Sequence, residues 1–296
     1  MVFVSSIFNK RQSDKFWPQG DSKILHWSKV ANFAIYFFTM SDMASTIFIT
    51  GGSTGIGRAA VERFVAEDWN VAFLDIDTEK AAELLQNLGC DDRVLFVEGD
   101  TRSRDDIKKA VEATEARFGG IDALFANAGI HRNNQILTIT DEELHRIVDI
   151  NLFGTVHTLQ AVVPAIIRRG GGSVVINCSD QWFIGKPNSF AYGMTKGALG
   201  QITRSLSIDL AKHNIRVNAI CPGSIDTPLL EGALRRSSEA NNVSYDELYQ
   251  AENDLYDRGR MGKPEEVANL VYFLASGQST FITGAHYAID GGLIAR

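Results

Sequence analysis

Residues 46–57, TIFITGGSTGIG, set a short apolar strand from Thr46 to Ile49 directly before a glycine-rich turn, with a helix expected from about Ile56. That order is what a βα unit needs to carry a phosphate at its turn. Gly51, Gly55 and Gly57 place no Cβ between backbone and ligand, so main-chain amides and the positive end of the following helix can approach a pyrophosphate. The same glycines also suit a merely tight turn. The run departs from the usual G-x-G-x-x-G, with three residues between its first two key glycines. It lacks the Gly-Lys-Ser/Thr ending of a triphosphate loop, which disfavours ATP.

Further along, Tyr192 and Lys196 stand four apart in FAYGMTK, and Ser179 lies thirteen residues before the tyrosine, just after the apolar run VVIN. Side chains at i and i+4 share a helix face, so a phenol and an ammonium can meet at one substrate oxygen. A fixed cation favours phenolate and is expected to draw the tyrosine down towards a working pH. Ser179 is then placed to hold the reacting oxygen. The pair taken alone also matches an ordinary solvated helix face.

A second strand, Asn70 to Asp77, ends on an acid, and Asp75 falls 18 residues after Gly57. That is near the separation at which a carboxylate reaches the adenosine ribose of a dinucleotide. The carboxylate would repel a 2′-phosphate, and the neighbours Thr54 and Ile76 bring no compensating base, so NAD is expected over NADP. The alternative is a solvated acid at a strand end. VLFVEGD at 94–100 and DALFANAG at 122–129 read as further strands, each followed by a helical pattern, and such alternation predicts a parallel sheet. Thr140 is the expected cap of a helix from about Asp141, with Glu143 as its capping-box partner.

The motifs TGGSTGIG at 50–57, NAG at 127–129, Asn151 in DINLFG, Ser179, Tyr192 with Lys196, and PGSIDT at 222–227 together resemble the short-chain dehydrogenase/reductase family over nearly all of 46–296. The resemblance implies an α/β fold: a single Rossmann-like, doubly wound, seven-stranded, largely parallel sheet with helices on both faces, binding a nicotinamide dinucleotide. It implies catalytic roles for Asn151, Ser179, Tyr192 and Lys196. Tyr192 is the general acid/base, Ser179 steadies the substrate oxygen, Lys196 anchors the ribose and activates the tyrosine, and the Asn151 carbonyl holds a relay water near the lysine. It places the cofactor against Gly51, Ser53, Thr54, Gly55, Ile56, Gly57, Asp75, Asp100, Thr101, Asn127, Ala128, Gly129, Tyr192 and Lys196, with Pro222, Gly223, Ile225 and Thr227 at the nicotinamide carboxamide. A homotetramer is the expected assembly, with a dimer as the alternative.

Composition agrees with a globular chain: 296 residues, 45% hydrophobic and 22% charged, with a net charge of −7. The acidic balance, without basic runs, argues against nucleic acid as a partner. Cys90, Cys178 and Cys221 are widely spaced and read as reduced thiols, two of them in apolar strand-like runs, and no metal-ligand spacing occurs. Cytoplasmic, metal-independent chemistry is expected. Residues 1–42 carry Trp17, Trp27 and the apolar run Ala31 to Met40, which is too short to span a bilayer. They read as an N-terminal extension, a leader or upstream sequence before a start at Met40 or Met43, and 43–296 as the catalytic domain with a helical lid at about 228–260.

Substrate contacts are expected from His131, Arg132, Asp180, Gln181 and Lys186, a polar set that suits a polyol, sugar or hydroxy acid. The expected reaction is interconversion of a secondary alcohol and a ketone by hydride transfer. Reduction of 3-oxoacyl thioesters, and a non-catalytic dinucleotide-sensing role, are the alternatives.

Overall fold

The computed structural model describes residues 44–89 and 92–295; the expectations for residues 1–42 and for Cys90 lie outside them. Seven strands follow the apolar runs: β1 (Thr46–Thr50), β2 (Asn70–Asp75), β3 (Val94–Glu98), β4 (Ala123–Ala126), β5 (Gly172–Asn177), β6 (Ile215–Pro222) and β7 (His286–Ile289). They form one sheet in the order β3-β2-β1-β4-β5-β6-β7, and every pairing is parallel, which sharpens the largely parallel sheet expected. The chain reverses direction of travel across the sheet between β1 and β4, leaving a crevice at the carboxyl ends of these two strands where open α/β sheets bind ligands.

Helices α1 (Gly55–Ala66), α2 (Thr78–Leu88) and α9 (Pro264–Ala275) cover one face, sharing a core with Ile47, Ile49, Val71, Phe73, Phe125 and Val175. Helices α3 (Arg104–Phe118), α5 (Gly154–Arg169) and α6 (Phe190–Asp209) cover the other, against Phe48, Leu74, Leu124, Val174 and Ile176. Neighbouring residues of one strand thus serve opposite cores, as the period of two requires. Such double coverage explains why these strands read as continuous apolar runs.

The strands end earlier than the sequence patterns suggest. Asp77, expected within β2, instead caps α2 by accepting from Lys80 N at 2.9 Å, and its own amide donates to Asp75 Oδ1 at 3.0 Å. Gly99 and Asp100 leave β3 for a turn in which Asp100 accepts from Arg102 N. Asp122 and 127–129 likewise fall outside β4.

Thr140 caps α4 (Asp141–Val148), its hydroxyl accepting from Glu143 N at 3.2 Å. The helix does not run regularly through Asn151: Asp149–Phe153 forms a π-helical turn, with Gly154 N bonded back to Asp149 O, before α5 begins. The continuous run Asp141–Arg169 is long and apolar enough to cross a bilayer by composition, but half of its apolar window is buried in the protein. Residues 228–254 form two helices, α7 (Pro228–Asn241) and α8 (Tyr245–Asp254). The break falls where Asn242 takes a left-handed φ of 53° and Ser244 caps α8. Cys178 and Cys221 are free and buried, as expected.

Candidate active site

A cleft of about 1060 Å³ opens over the carboxyl ends of the strands. Its floor is the turn after β1. Gly51 holds φ at +69°, and a Cβ on Gly57 would stand 1.8 Å from Gly51 O, so helix α1 meets the turn only because residue 57 has no side chain. Asn127 braces the turn from β4: its amide nitrogen donates to Thr50 O at 3.0 Å and Gly51 O at 2.9 Å, and its side-chain oxygen accepts from Asn177 Nδ2.

Gly51, Thr54, Gly55, Ile56, Asp75, Asp100, Thr101, Asn127, Ala128, Gly129, Tyr192, Lys196 and Thr227 all line this cleft. The other expected cofactor residues stand behind it. Ser53 is buried with an unpartnered hydroxyl, Gly57 packs under the turn, and Ile225 is in the core. Pro222 ends β6, and Gly223 backs onto the Tyr256 hydroxyl. The dimensions, the glycine floor and the acid at the far end fit a dinucleotide.

At that far end Asp75 accepts from Ser53 N at 2.8 Å. Two bases that sequence proximity did not reveal, Lys80 and Arg102, also line the cleft. Each is paired: Lys80 with Glu83 at 2.8 Å, and Arg102 with Asp100 at 2.6 Å. The Arg102 hydrogen bond holds the Asp100 carboxyl below its usual range.

At the other end, α6 brings Tyr192 and Lys196 to one face, and the end of β5 brings Ser179 within hydrogen-bonding reach of the Tyr192 phenol. The expected downward pull on the phenol is not what dominates. Burial pushes Tyr192 above its ordinary value, opposed by the Ser179 hydrogen bond, while nearby Asp180 also raises it. Lys196 donates to Asn177 O at 2.6 Å, and its ammonium stands 5.4 Å from the centre of the Tyr192 ring. Burial lowers its pKa to about 8. Asn177, which offered no signal beyond closing an apolar run, thus contributes its carbonyl to the lysine and its side chain to Asn127.

Asn151 is buried beneath this group. Its side chain clamps both main-chain groups of Ile130, accepting from N at 2.8 Å and donating to O at 3.0 Å, and it reaches Thr195 Oγ1 at 3.3 Å. Its own carbonyl accepts from Thr155 Oγ1 at 2.8 Å. The side chain therefore ties the loop after β4 to α6, a role additional to the relay expected of the carbonyl.

Of the five substrate candidates, His131 packs on the tyrosine and Asp180 lies near it; none lines the cleft itself, and Gln181 and Lys186 line a separate pocket of about 360 Å³. Asn134 pins the loop after β4 to the start of α6 through Ala191 N, and the His131 ring then packs edge-on against Tyr192, with centroids 4.9 Å apart. Burial, then the charges of Arg236, Lys186 and Arg132, push the imidazole down to about 4. Arg132 donates to His131 O at 2.9 Å. Asp180, fully enclosed, accepts from Ser179 Oγ at 2.9 Å and pairs with Lys186 at 2.7 Å. Gln181 N donates to Ser179 Oγ. Trp182 turns away to stack on His286, whose ring bonds Gly200 O, so His286 has a packing role.

A family model described as "Enoyl-(Acyl carrier protein) reductase" matches residues 51–294. A 3-oxoacyl-(acyl-carrier-protein) reductase of Thermotoga maritima is 34% identical over 83% of this chain and 96% of its own length. The chain belongs to the short-chain dehydrogenase/reductase family. Among other members, a 2,5-dichloro-2,5-cyclohexadiene-1,4-diol dehydrogenase of Sphingobium indicum is 36% identical over 86% of this chain and 100% of its own. The crystal structure of L-sorbose reductase from Gluconobacter frateurii, complexed with NADPH and L-sorbose, superposes with a TM-score of 0.80 at 30% identity, covering 86% of this chain and 98% of that one. Membership makes the protein an oxidoreductase acting on alcohol- or ketone-type substrates with a nicotinamide dinucleotide.

Proposed function

We propose that the protein interconverts a polar secondary alcohol and its ketone with NAD as the preferred cofactor. The observation that carries this reading is the convergence of Ser179, Tyr192 and Lys196 at one end of a cleft whose other end presents Asp75. A nicotinamide dinucleotide held in the cleft would supply or take the hydride. Tyr192 exchanges the proton of the reacting hydroxyl, and Ser179 holds the same oxygen by a hydrogen bond. Lys196, fixed by the Asn177 carbonyl, places positive charge beside the phenol and offsets part of the burial that disfavours phenolate. The glycine floor, with its main-chain amides and the start of α1, would hold the pyrophosphate. Asp75 would accept from the adenosine ribose and repel a 2′-phosphate. The pairing of Lys80 and Arg102 with acids leaves little free charge to offset that repulsion.

The polar wall of His131, Asp180 and Lys186 favours a polyol, sugar or hydroxy acid, and two relatives named for a diol and a sugar ketone point the same way. Helices α7 and α8 would form the lid over it, in a cytoplasmic homotetramer or dimer. A second reading, reduction of 3-oxoacyl thioesters, takes its support from the Thermotoga relative. The test is NADH formation across sugars, polyols, hydroxy acids and simple secondary alcohols, with NAD and with NADP. Replacement of Tyr192 by Phe should cut turnover by about 10²–10⁴-fold while NADH still binds. A panel that turns over only with NADP, or only 3-oxoacyl thioesters with NADPH, sinks the NAD-alcohol reading.

A further inference from the structure

Two guanidinium groups from distant parts of the chain meet at the main-chain oxygen of His131, the residue whose ring packs on Tyr192. Arg132 Nη1 and Arg236 Nη2 both donate to the carbonyl oxygen of His131, at 2.9 and 3.3 Å. Arg236 reaches it from α7 by lying back over Gly232, where a Cβ would stand 3.1 Å from Nη1. Among the described residues no carboxylate forms an ion pair with either group; the neighbouring Arg235 takes Glu231, and Lys186 takes Asp180. Glu239 lies close enough to be felt by Arg236 but forms no such pair. His131 brings no counter-charge: burial first, and then the charges of Arg236, Lys186 and Arg132, keep its ring neutral near pH 7. Each guanidinium uses one donor on the shared carbonyl and keeps others of its planar fork for an incoming oxyanion.

From this geometry we infer that Arg132 and Arg236 form an oxyanion-binding subsite that selects substrates carrying a carboxylate or phosphoryl group next to the reacting alcohol. The inference rests on the proposed alcohol-ketone chemistry and narrows its substrate class from polar to anionic. Like charges converging without an acid are relieved by a bound anion, and charge-assisted bonds to a fork-shaped donor are among the stronger polar contacts. Arg236 carried no motif in the sequence; only the fold of α7 across the loop after β4 brings it to residue 131.

The test uses the NADH-loaded full chain, titrated calorimetrically with malonate and separately with inorganic phosphate, for the wild type and for Arg132→Gln, Arg236→Gln and Arg236→Lys. We expect one of the anions to bind the wild type, with each Gln variant weakening it by about tenfold or more and the Lys variant by less. NADH affinity, unchanged across the set, reports intact folding. Malonate preference marks a carboxylate substrate and phosphate preference a phosphoryl one. In turnover, the Gln variants should raise KM for 3-hydroxybutyrate or a hydroxyalkyl phosphate more than they lower kcat. Failure of both anions to bind the wild type, or equal binding by the Gln variants, overturns the subsite. Absence of any NAD-linked turnover removes the functional reading, while the titrations still decide the subsite.

Discussion

Gly57 sits where a methyl group has no room. Gly57→Ala drives a Cβ to within 1.8 Å of Gly51 O, and the atom that must yield is main chain. The expected outcome is a destabilisation of about 3 kcal/mol in urea unfolding, with loss of NADH binding. Gly197→Ala is the matched control: nothing lies within 4 Å of its added methyl, and the helix should gain about 1 kcal/mol. His131 gives a prediction in pH. Its pKa falls from 6.5 to about 4 on folding, so its contribution is fully present above pH 6.5 and is lost as pH drops towards 4, by up to about 3 kcal/mol. Denaturation curves between pH 4 and 6.5 should flatten in His131→Asn; an unchanged acid limb would assign the dependence to other groups. At this scale the sequence was most readable where chemistry demands a residue type at fixed spacing, as for Tyr192 and Lys196. Asn177 was not readable, because the part it lends to the lysine is a carbonyl that every residue possesses.

Among the elements, the π-helical turn at 149–153 was the least accessible to pattern. Its residues continue the apolar periodicity of a regular helix, and the widened turn shows only in how the hydrogen bonds shift. Within this turn sits the Asn151 clamp. Asn151→Ala leaves the amide and carbonyl of Ile130 without their partners and should cost about 2 kcal/mol. It should also loosen the loop that holds His131 against Tyr192, raising amide exchange across 130–134. A variant with wild-type stability and exchange would show that the clamp is dispensable. Strand ends were misjudged by one to three residues for a related reason: Asp77 and Asp100 look like strand termini in sequence, but their side chains bond local amides and stop the ladder.

For the whole molecule, the parallel order was legible because strands and helices alternate, and double-sided burial writes itself as unbroken apolar runs. His131, Asp180 and Lys186 were expected to act together from their places after the NAG motif and Ser179, but the arrival of Arg236 was not legible, since it depends on how α7 falls across the loop after β4. A dinucleotide held in the cleft would touch residues from the turn after β1, from β4 and β5, and from the start of α7, all of which line it. Saturating NADH, at about a hundred times its Kd, should add about 2.7 kcal/mol and raise the melting temperature by about 5–10 °C. On the proposed role of Asp75, NADPH at equal concentration should do less. Equal shifts would remove the basis for an NAD preference, and Asp75→Ala should narrow any difference.

The lysine's anchor has a consequence for how this site tolerates mutational drift. Because Lys196 is held by the main-chain oxygen of residue 177, which no codon change can delete, its placement is inherited from the pairing of β5 with its neighbours. Substitutions that keep the sheet in register keep the ammonium at its post, whatever side chain they install there. The vulnerable positions are therefore those that could slip the strand, and random mutagenesis scored for lost activity should report them as stability defects distributed along β4, β5 and β6.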